Sequence, residues 1–371
     1  DTSLDETIEL LNTQLLLRPN DAHKRFQLAN VLRRKGRVDD AIAAFTRAVT
    51  AKPDFAEAHF QLGSIFRERD DLSKALAYFN QAVAHKPEHL EAVKQKAEVC
   101  ALLDRDDEAL ASYERVLELD PADRDAPREA GIRRYRRGDF GPASVLLRHA
   151  SEREPERTEL LVLLGLSLFR TGELGETRTV LSEFLRRGGD SPVARRSLAE
   201  ARAALGELPR AIAVCREGLE KFADDPALWY AFGRLLADAG QLEEAALALG
   251  RAATEPSPRL NATLGQVLLR LGRAGEAASL LDEVDSSGAA SAADLLVLGE
   301  ARLATGAAVG AVEALERAVR VEEGARASVL LGTAYVAVGR SEEALAMLRK
   351  GEALGDDREE VLLAIADLQE R

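Results

Sequence analysis

His85 and His89 stand on either side of Pro87, and among the five histidines they alone lie close enough in sequence to share a metal. A zinc or related site needs three or four ligands, and no third ligand follows at a usable spacing. With proline between them the pair reads as a loop, and no metal site is expected. Cys100 and Cys215 lie far apart in apolar surroundings, so reduced, buried thiols are expected rather than a bridge or metal ligands. No Gly-rich phosphate loop is present. The acid pairs Asp70-Asp71, Asp224-Asp225 and Glu243-Glu244 fall where helices would begin, and carboxylates there favour the helix dipole. They read as caps and not as general acids. No catalytic residue and no cofactor are expected, so the chain reads as a non-enzyme.

What recurs is structural. The small residues Ala29, Gly63, Ala97, Gly131, Gly165, Ala199, Gly233, Gly265, Gly299 and Gly332 follow one another at steps of 34, with one step of 32 and one of 33 near the end. Twelve residues on runs a second column, Ala41, Ala75, Ala109, Ala143, Thr177, Ala211, Ala245, Ala277, Ala311 and Ala344. Between them, Gly36, Asp70, Asp104 and then seven glycines from Gly138 to Gly339 supply the residues a tight turn prefers. His59, Leu62, Gly63 and Phe66 recur at i, i+3, i+4 and i+7, which places them on one helical face, and Ala75, Phe79 and Ala82 do the same. Each period is therefore two amphipathic helices. Glycine inside a helix costs up to about 1 kcal/mol against alanine, so its recurrence implies that the two backbones approach closely there. Pro53, Pro87, Pro121 and Pro155 stop the second helix of a repeat.

A period of 34 with a Leu-Gly pair, a later Ala, an aromatic and a Pro resembles the tetratricopeptide repeat. The resemblance covers nearly the whole chain. It implies an all-α fold, a right-handed superhelical solenoid of antiparallel helix pairs, and it implies no chemistry. A single domain is expected over 1–371, because a solenoid grows as one continuous core. Residues 1–19 form a partial repeat or an N-terminal capping helix, 20–355 about ten repeats, and 356–371 a C-terminal capping helix with a polar outer face. Three junctions stand out. Gly188-Gly189 should loosen the end of the fifth repeat, Pro256-Ser257-Pro258 should tighten the turn before the eighth, and Ser286-Ser287-Gly288-Ala289 reads as a linker-like loop or hinge.

Hydrophobic residues make up 46% of the chain and charged ones 30%, and no run approaches the ~18 apolar residues of a membrane span, which fits a soluble protein without membrane insertion. The net charge of -13 argues against nonspecific nucleic-acid binding, which draws on phosphate neutralisation. A modestly basic stretch, 124–202, lies between acidic ends. Because the sequence opens on Asp1 with no leader, it reads as a mature chain or a part excised from a longer one, and a cytoplasmic location is expected, with periplasmic or outer-membrane association as alternatives.

In the family resembled, the first helices line the concave face, so partner-binding residues are sought there. A ladder of amides, Gln27, Gln61 and Gln95, continues into Glu129 at the same spacing and could bond the backbone of an extended peptide. Some family members use asparagines in that way. A central apolar group, Ile132, Tyr135, Val162, Leu166 and Phe169, is flanked by Arg128, Arg136 and Arg170, a composition matching interface hot spots. Phe26 and Phe60 form a smaller patch of the same kind. Members that bind the carboxylate tail of chaperones place Lys and Asn on the first two first-helices and Lys and Arg on the third; here only Asn30 matches, while Phe26, Gln61, Glu91 and Gln95 occupy the other positions. Chaperone-tail binding is therefore not expected.

The function expected is a non-catalytic scaffold or adaptor that holds a partner protein or extended peptide in its groove, with self-association as a further possibility. Ala, Arg and Leu richness points to a bacterial, GC-rich origin, where arrays resembling this one serve as polarity or motility scaffolds for a small GTPase or as pilus and export assembly factors. The alternative is a substrate-recruiting arm of a larger enzyme, such as a glycosyltransferase or sulfotransferase, whose catalytic domain lies outside this chain.

Overall fold

A computed structural model describes every residue except Asp1, Glu255, Pro256, Asp357 and Arg371, and only the backbone of Thr2 and Glu370. The described residues form helices and turns, without a strand. By packing they fall into two compact units, one comprising 1–176 with 183–189 and the other 177–182 with 190–371.

The N-terminal unit contains α1 (Thr2–Leu17), α2 (Ala22–Arg34), α3 (Val38–Ala51), α4 (Ala56–Glu68), α5 (Leu72–His85), α6 (Leu90–Leu102), α7 (Asp106–Leu119), α8 (Ala126–Arg137), α9 (Phe140–Arg153) and α10 (Thr158–Thr171). Helix α11 (Leu174–Arg186) contributes residues to both units. The C-terminal unit continues with α12 (Pro192–Ala204), α13 (Leu208–Lys221), α14 (Pro226–Asp238), α15 (Leu242–Ala252), α16 (Pro258–Arg270), α17 (Ala274–Ser286), α18 (Ala292–Ala304), α19 (Ala308–Val321), α20 (Ala325–Ala337), α21 (Ser341–Ala353) and α22 (Glu359–Glu370). From α2 onward even-numbered helices are the first of a repeat and odd-numbered ones the second. Within each unit first helices pack on their own second helices, as α4 does on α5 and α20 on α21, and second helices on the next first helix, as α5 does on α6 and α19 on α20.

Helix boundaries follow local chemistry. All ten residues of the turn column, from Gly36 to Gly339, take a left-handed backbone, with φ between +54° at Asp104 and +86° at Gly138. Glycine reaches that region without a Cβ clash and aspartate tolerates it better than most residues. Asp21, Asp71, Ser191 and Asp225 cap the helices that follow them by accepting a backbone N–H, and Pro127 sits harmlessly in the first turn of α8.

The small-residue column marks the closest approach within a repeat. A Cβ added at Gly63 would lie 2.6 Å from the Phe79 ring, at Gly233 2.7 Å from Leu249, and at Gly299 2.3 Å from Leu315. Phe45, Phe79, Leu147, Leu249 and Leu315, one per second helix, are fully or almost fully buried beneath this column. Close packing of a bulky side chain against bare backbone is what makes glycine worth its propensity cost there.

Gly188-Gly189 is tight and not loose: Gly188 takes φ +86°, both amides bond back to Leu185 and Phe184 carbonyls at 3.0 Å, and a Cβ on Gly189 would meet Phe184 at 2.2 Å. Of the linker-like stretch only Ser286 belongs to α17; residues 287–291 form the expected loop, with Gly288 at φ +73°, and it ends in a capping box between Ser291 and Asp294 that opens α18. The outer face of α22 is mixed: Val361 and Ile365 are buried, Glu359, Glu360, Asp367 and Gln369 are exposed as expected, and Leu362 and Leu363 are exposed beside them. Of the Pro256-Ser257-Pro258 turn, Pro256 lies outside the described residues, and Pro258 opens α16.

Candidate protein-binding site

On the first-helix face of the N-terminal unit, α2, α4 and α6 enclose a cavity of about 480 Å³ lined by Arg33, Phe60, Gln61, Ser64, Arg67, Glu68, Glu91 and Gln95. Its walls repeat with the array. Arg33 Nη1 on α2 donates to Gln61 Oε1 on α4 at 2.6 Å, and Arg67 on α4 donates in the same way to Gln95 on α6. Each arginine also pairs with an acid of the following first helix: Arg33 with Glu68, and Arg67 with Glu98 at 2.6 Å. Gln95 Nε2 donates to Glu91 Oε1 at 3.0 Å.

The glutamines are therefore not the row of free amides read from the sequence. The acceptors of Gln61 and Gln95 are taken by arginines, and Gln27 alone stands exposed without a side-chain bond among the described residues. What the cavity offers is a floor of half-buried Phe60, the Gln61 amide donors, the Ser64 hydroxyl and a rim of both charges. Phe26 and Phe60 differ from a simple exposed patch as well. Phe26 packs on Phe55 and Phe45 with centroids 4.9 and 5.5 Å away, and Phe60 on His89 and Phe79 at 4.9 and 5.9 Å. Each ring is partly committed to the core.

The central group lies on α8 and α10, which touch each other directly. Ile132, Tyr135, Val162, Leu166 and Phe169 are all half-buried. Tyr135 packs edge-on against Phe140 at 5.6 Å, and Arg170 lies 5.8 Å from the Phe140 ring. Arg128 does not flank this group as an open charge. Its Nη1 donates to both carboxylate oxygens of Glu154 at 2.7 and 2.8 Å, its Nη2 to Asp125 at 2.7 Å, and Glu154 is only 2% exposed. Burial works against the charged form of this guanidinium, yet its carboxylate partners hold its pKa above the usual arginine value. Arg136 is exposed and lies 3.9 Å from Asp106. The basic stretch of the sequence is in this way largely neutralised in place.

His85 and His89 do not converge. His85 stacks on His59 at 5.7 Å, whereas His89 lies against Phe60 and its Nδ1 accepts the Ala92 amide of α6 at 3.3 Å. Among the described residues no three potential ligands form a metal-sized cluster, and no helix is long and apolar enough to cross a membrane. Cys100 and Cys215 are buried and unbonded, and burial pushes the Cys215 thiol up to about 12.

A second concavity escapes a reading confined to first helices. In the C-terminal unit, α13, α14 and α15 enclose about 430 Å³ lined by Trp229, Phe232, Leu247 and Arg251, among others, and α15 to α17 enclose about 950 Å³ over Leu264, Leu268 and Leu271. Both border the exposed ridge of α15. Its Leu247 is 71% exposed at a place where Ala43, Ala77 and Ala111 stand in the first three repeats, and because Val145, 67% exposed, departs from the same column, no single break in it marks the concavity.

Tetratricopeptide repeat family models match residues 26–86, 66–124 and 192–235. The chain contains tetratricopeptide repeats, and its helix pairs continue with the same turns outside the matched residues. No curated protein matches it in sequence. Among solved structures it is similar to the APC/C hetero-tetramer Cut9–Hcn1, at 16% identity over 94% of this chain and 76% of that one with a TM-score of 0.47. It is also similar to Naa15/Naa10 bound to HypK-THB, at 14% identity over 97% of this chain but only 62% of that one, with a TM-score of 0.46. YrrB, described as a repeat protein with an unusual peptide-binding site, matches at 18% identity over 48% of this chain and 92% of that one, with a TM-score of 0.41. At such identities these likenesses concern the fold.

Proposed function

We propose that this tetratricopeptide repeat protein is a non-catalytic adaptor that takes an extended segment of a partner protein on the first-helix face of its N-terminal unit. The observation that supports this reading is the cavity over Phe60: an apolar floor beside amide and hydroxyl groups suits a side chain flanked by unpaired backbone. The arginine bonds to Gln61 and Gln95 pre-set those amides, so little side-chain freedom is lost on binding.

The test is selection from a library of linear peptides, followed by affinities for the native protein, a Gln61→Ala, Gln95→Ala variant and a Tyr135→Ala, Phe169→Ala variant, after circular dichroism has shown equal helicity. Selected peptides are expected to bind at least about tenfold more weakly to the glutamine variant, each lost bond amounting to about 1 kcal/mol. Loss confined to the Tyr135, Phe169 variant would transfer the site to α8 and α10, and equal binding to all three would overturn the reading.

A further inference from the structure

The first-helix face of the C-terminal unit carries a cluster of another kind. The Tyr230 ring on α14 has two guanidiniums against it, Arg234 from the same helix at 5.9 Å and Arg259 from α16 at 5.5 Å. Thr263 donates to the Arg259 carbonyl at 2.9 Å, which leaves its oxygen to accept from the Tyr230 hydroxyl at 3.1 Å. The ring is thereby tied to both helices.

Neither arginine makes an ion pair with any described residue, and Asp238, one turn beyond Arg234, makes none with it. The same protein completes its other arginine–tyrosine stacks internally. Arg133 lies 5.2 Å from the Tyr113 ring and pairs with Glu129 at 2.7 Å and Asp106 at 3.2 Å. Arg340 lies 4.3 Å from the Tyr335 ring and pairs with Glu343 at 3.0 Å and Glu316 at 3.5 Å, while the Tyr335 hydroxyl donates to Glu316 at 2.8 Å. At Tyr230 the arginines and the ring are present and the carboxylate is missing among the described residues. Two like charges on one ring repel, and the ring quadrupole offsets only about 1 kcal/mol at an exposed site. A planar carboxylate matches the guanidinium fork and would neutralise both.

The positive character extends beyond the pair. Arg196 on α12, 34 residues before Tyr230 and thus at the same place in its repeat, has no ion pair among the described residues, and Arg270 on α16 donates only to the Ala237 carbonyl at 3.0 Å. Other arginines lack an ion pair as well, Arg34 and Arg170 on first helices among them, but among the described residues only Tyr230 has two guanidiniums against one ring. We infer that Tyr230, Arg234 and Arg259 receive a carboxylate side chain from an acidic segment of a partner protein, with Arg196 and Arg270 meeting neighbouring acids. This contact stands independently of the groove over Phe60.

The test is fluorescence anisotropy of a labelled oligoglutamate peptide titrated with the full chain at low and physiological salt, with an oligoglutamine and a phosphoserine peptide in parallel. Binding of oligoglutamate should be saturable, weaken with salt, and fall at least about tenfold in Arg234→Gln, Arg259→Gln, since each lost charge-assisted bond amounts to a fold-change of that size. The control Arg186→Gln, Arg210→Gln removes the same charge from side chains that are 73% and 74% exposed, and should leave binding unchanged. Tyr230→Phe, which keeps the ring and loses the bond to Thr263, should fall between the two. Absence of binding by the native chain, equal loss in both double variants, or binding of the phosphoserine peptide alone would each overturn the assignment.

Discussion

Replacing Gly299 and Gly250 separately by alanine isolates the packing that organises every repeat. Both glycines are helical, in α18 and α15, so alanine should gain up to about 1 kcal/mol of helix propensity at either site. They differ in what a new methyl group meets. At Gly299 it would stand 2.3 Å from Leu315 Cγ and 2.6 Å from its Cδ2, and Leu315 is fully buried; at Gly250 nothing lies within 4 Å. Overpacking a closed core costs about 1–3 kcal/mol. The propensity term is common to both, so the difference between the variants reads the steric term alone. Gly250→Ala is expected to stabilise by about 0.5–1 kcal/mol, and Gly299→Ala to be neutral to destabilised by about 2 kcal/mol. Urea unfolding followed by circular dichroism measures both, with the m-value checked for constancy. If Gly299→Ala proves as stable as Gly250→Ala, close backbone approach is not the reason for the small-residue column. Ala29 over Phe45 shows that a methyl group is accepted where the second helix has settled around it, so a local shift would be the replacement explanation.

Three other outcomes follow from the packing. Burial holds the His59 imidazole below the usual 6.5, with nearby His85 adding to this and the bond to the Pro53 carbonyl opposing it; the unfolded chain then binds more protons below pH 6.5, so stability is complete above that value and falls as the pH drops through it. The urea midpoint should decline between about pH 7.5 and about pH 5.5, and His59→Gln should decline less; equal slopes would dismiss His59 as the source. Glu154→Ala removes the buried carboxylate of the pair and leaves the half-buried Arg128 with Asp125 and Glu129 only, which should cost about 2–3 kcal/mol in thermal or urea unfolding, whereas a cost below about 1 kcal/mol would show the pair to act as a surface one. With its pKa raised to about 12 by burial, Cys215 should react with a thiol reagent only as fast as the chain opens, and rapid labelling of the native protein would contradict its buried position.

The amide ladder shows where reading along the chain stops. Gln27, Gln61 and Gln95 were visible as a column, but Arg33 and Arg67 reach the last two from the preceding repeat, 28 residues away in each case. Whether a polar side chain on the first-helix face is free depends on the offset between stacked helices, which periodicity does not contain. The same holds for Arg128, spent on buried Glu154, and for Tyr230, whose two arginines come from different helices. Leu247 departs from a column of alanines, but so does Val145, and the concavities on either side of Leu247 needed the neighbouring helices to be seen. The sequence by itself determined the helix pairs, their turns at Gly36 through Gly339 and the glycine contacts within a repeat, because each rests on residues at a fixed spacing within one period. Only the tertiary structure decided which charges and amides remain unpartnered, because that depends on side chains meeting across stacked repeats, where a shift of one helical turn exchanges every partner.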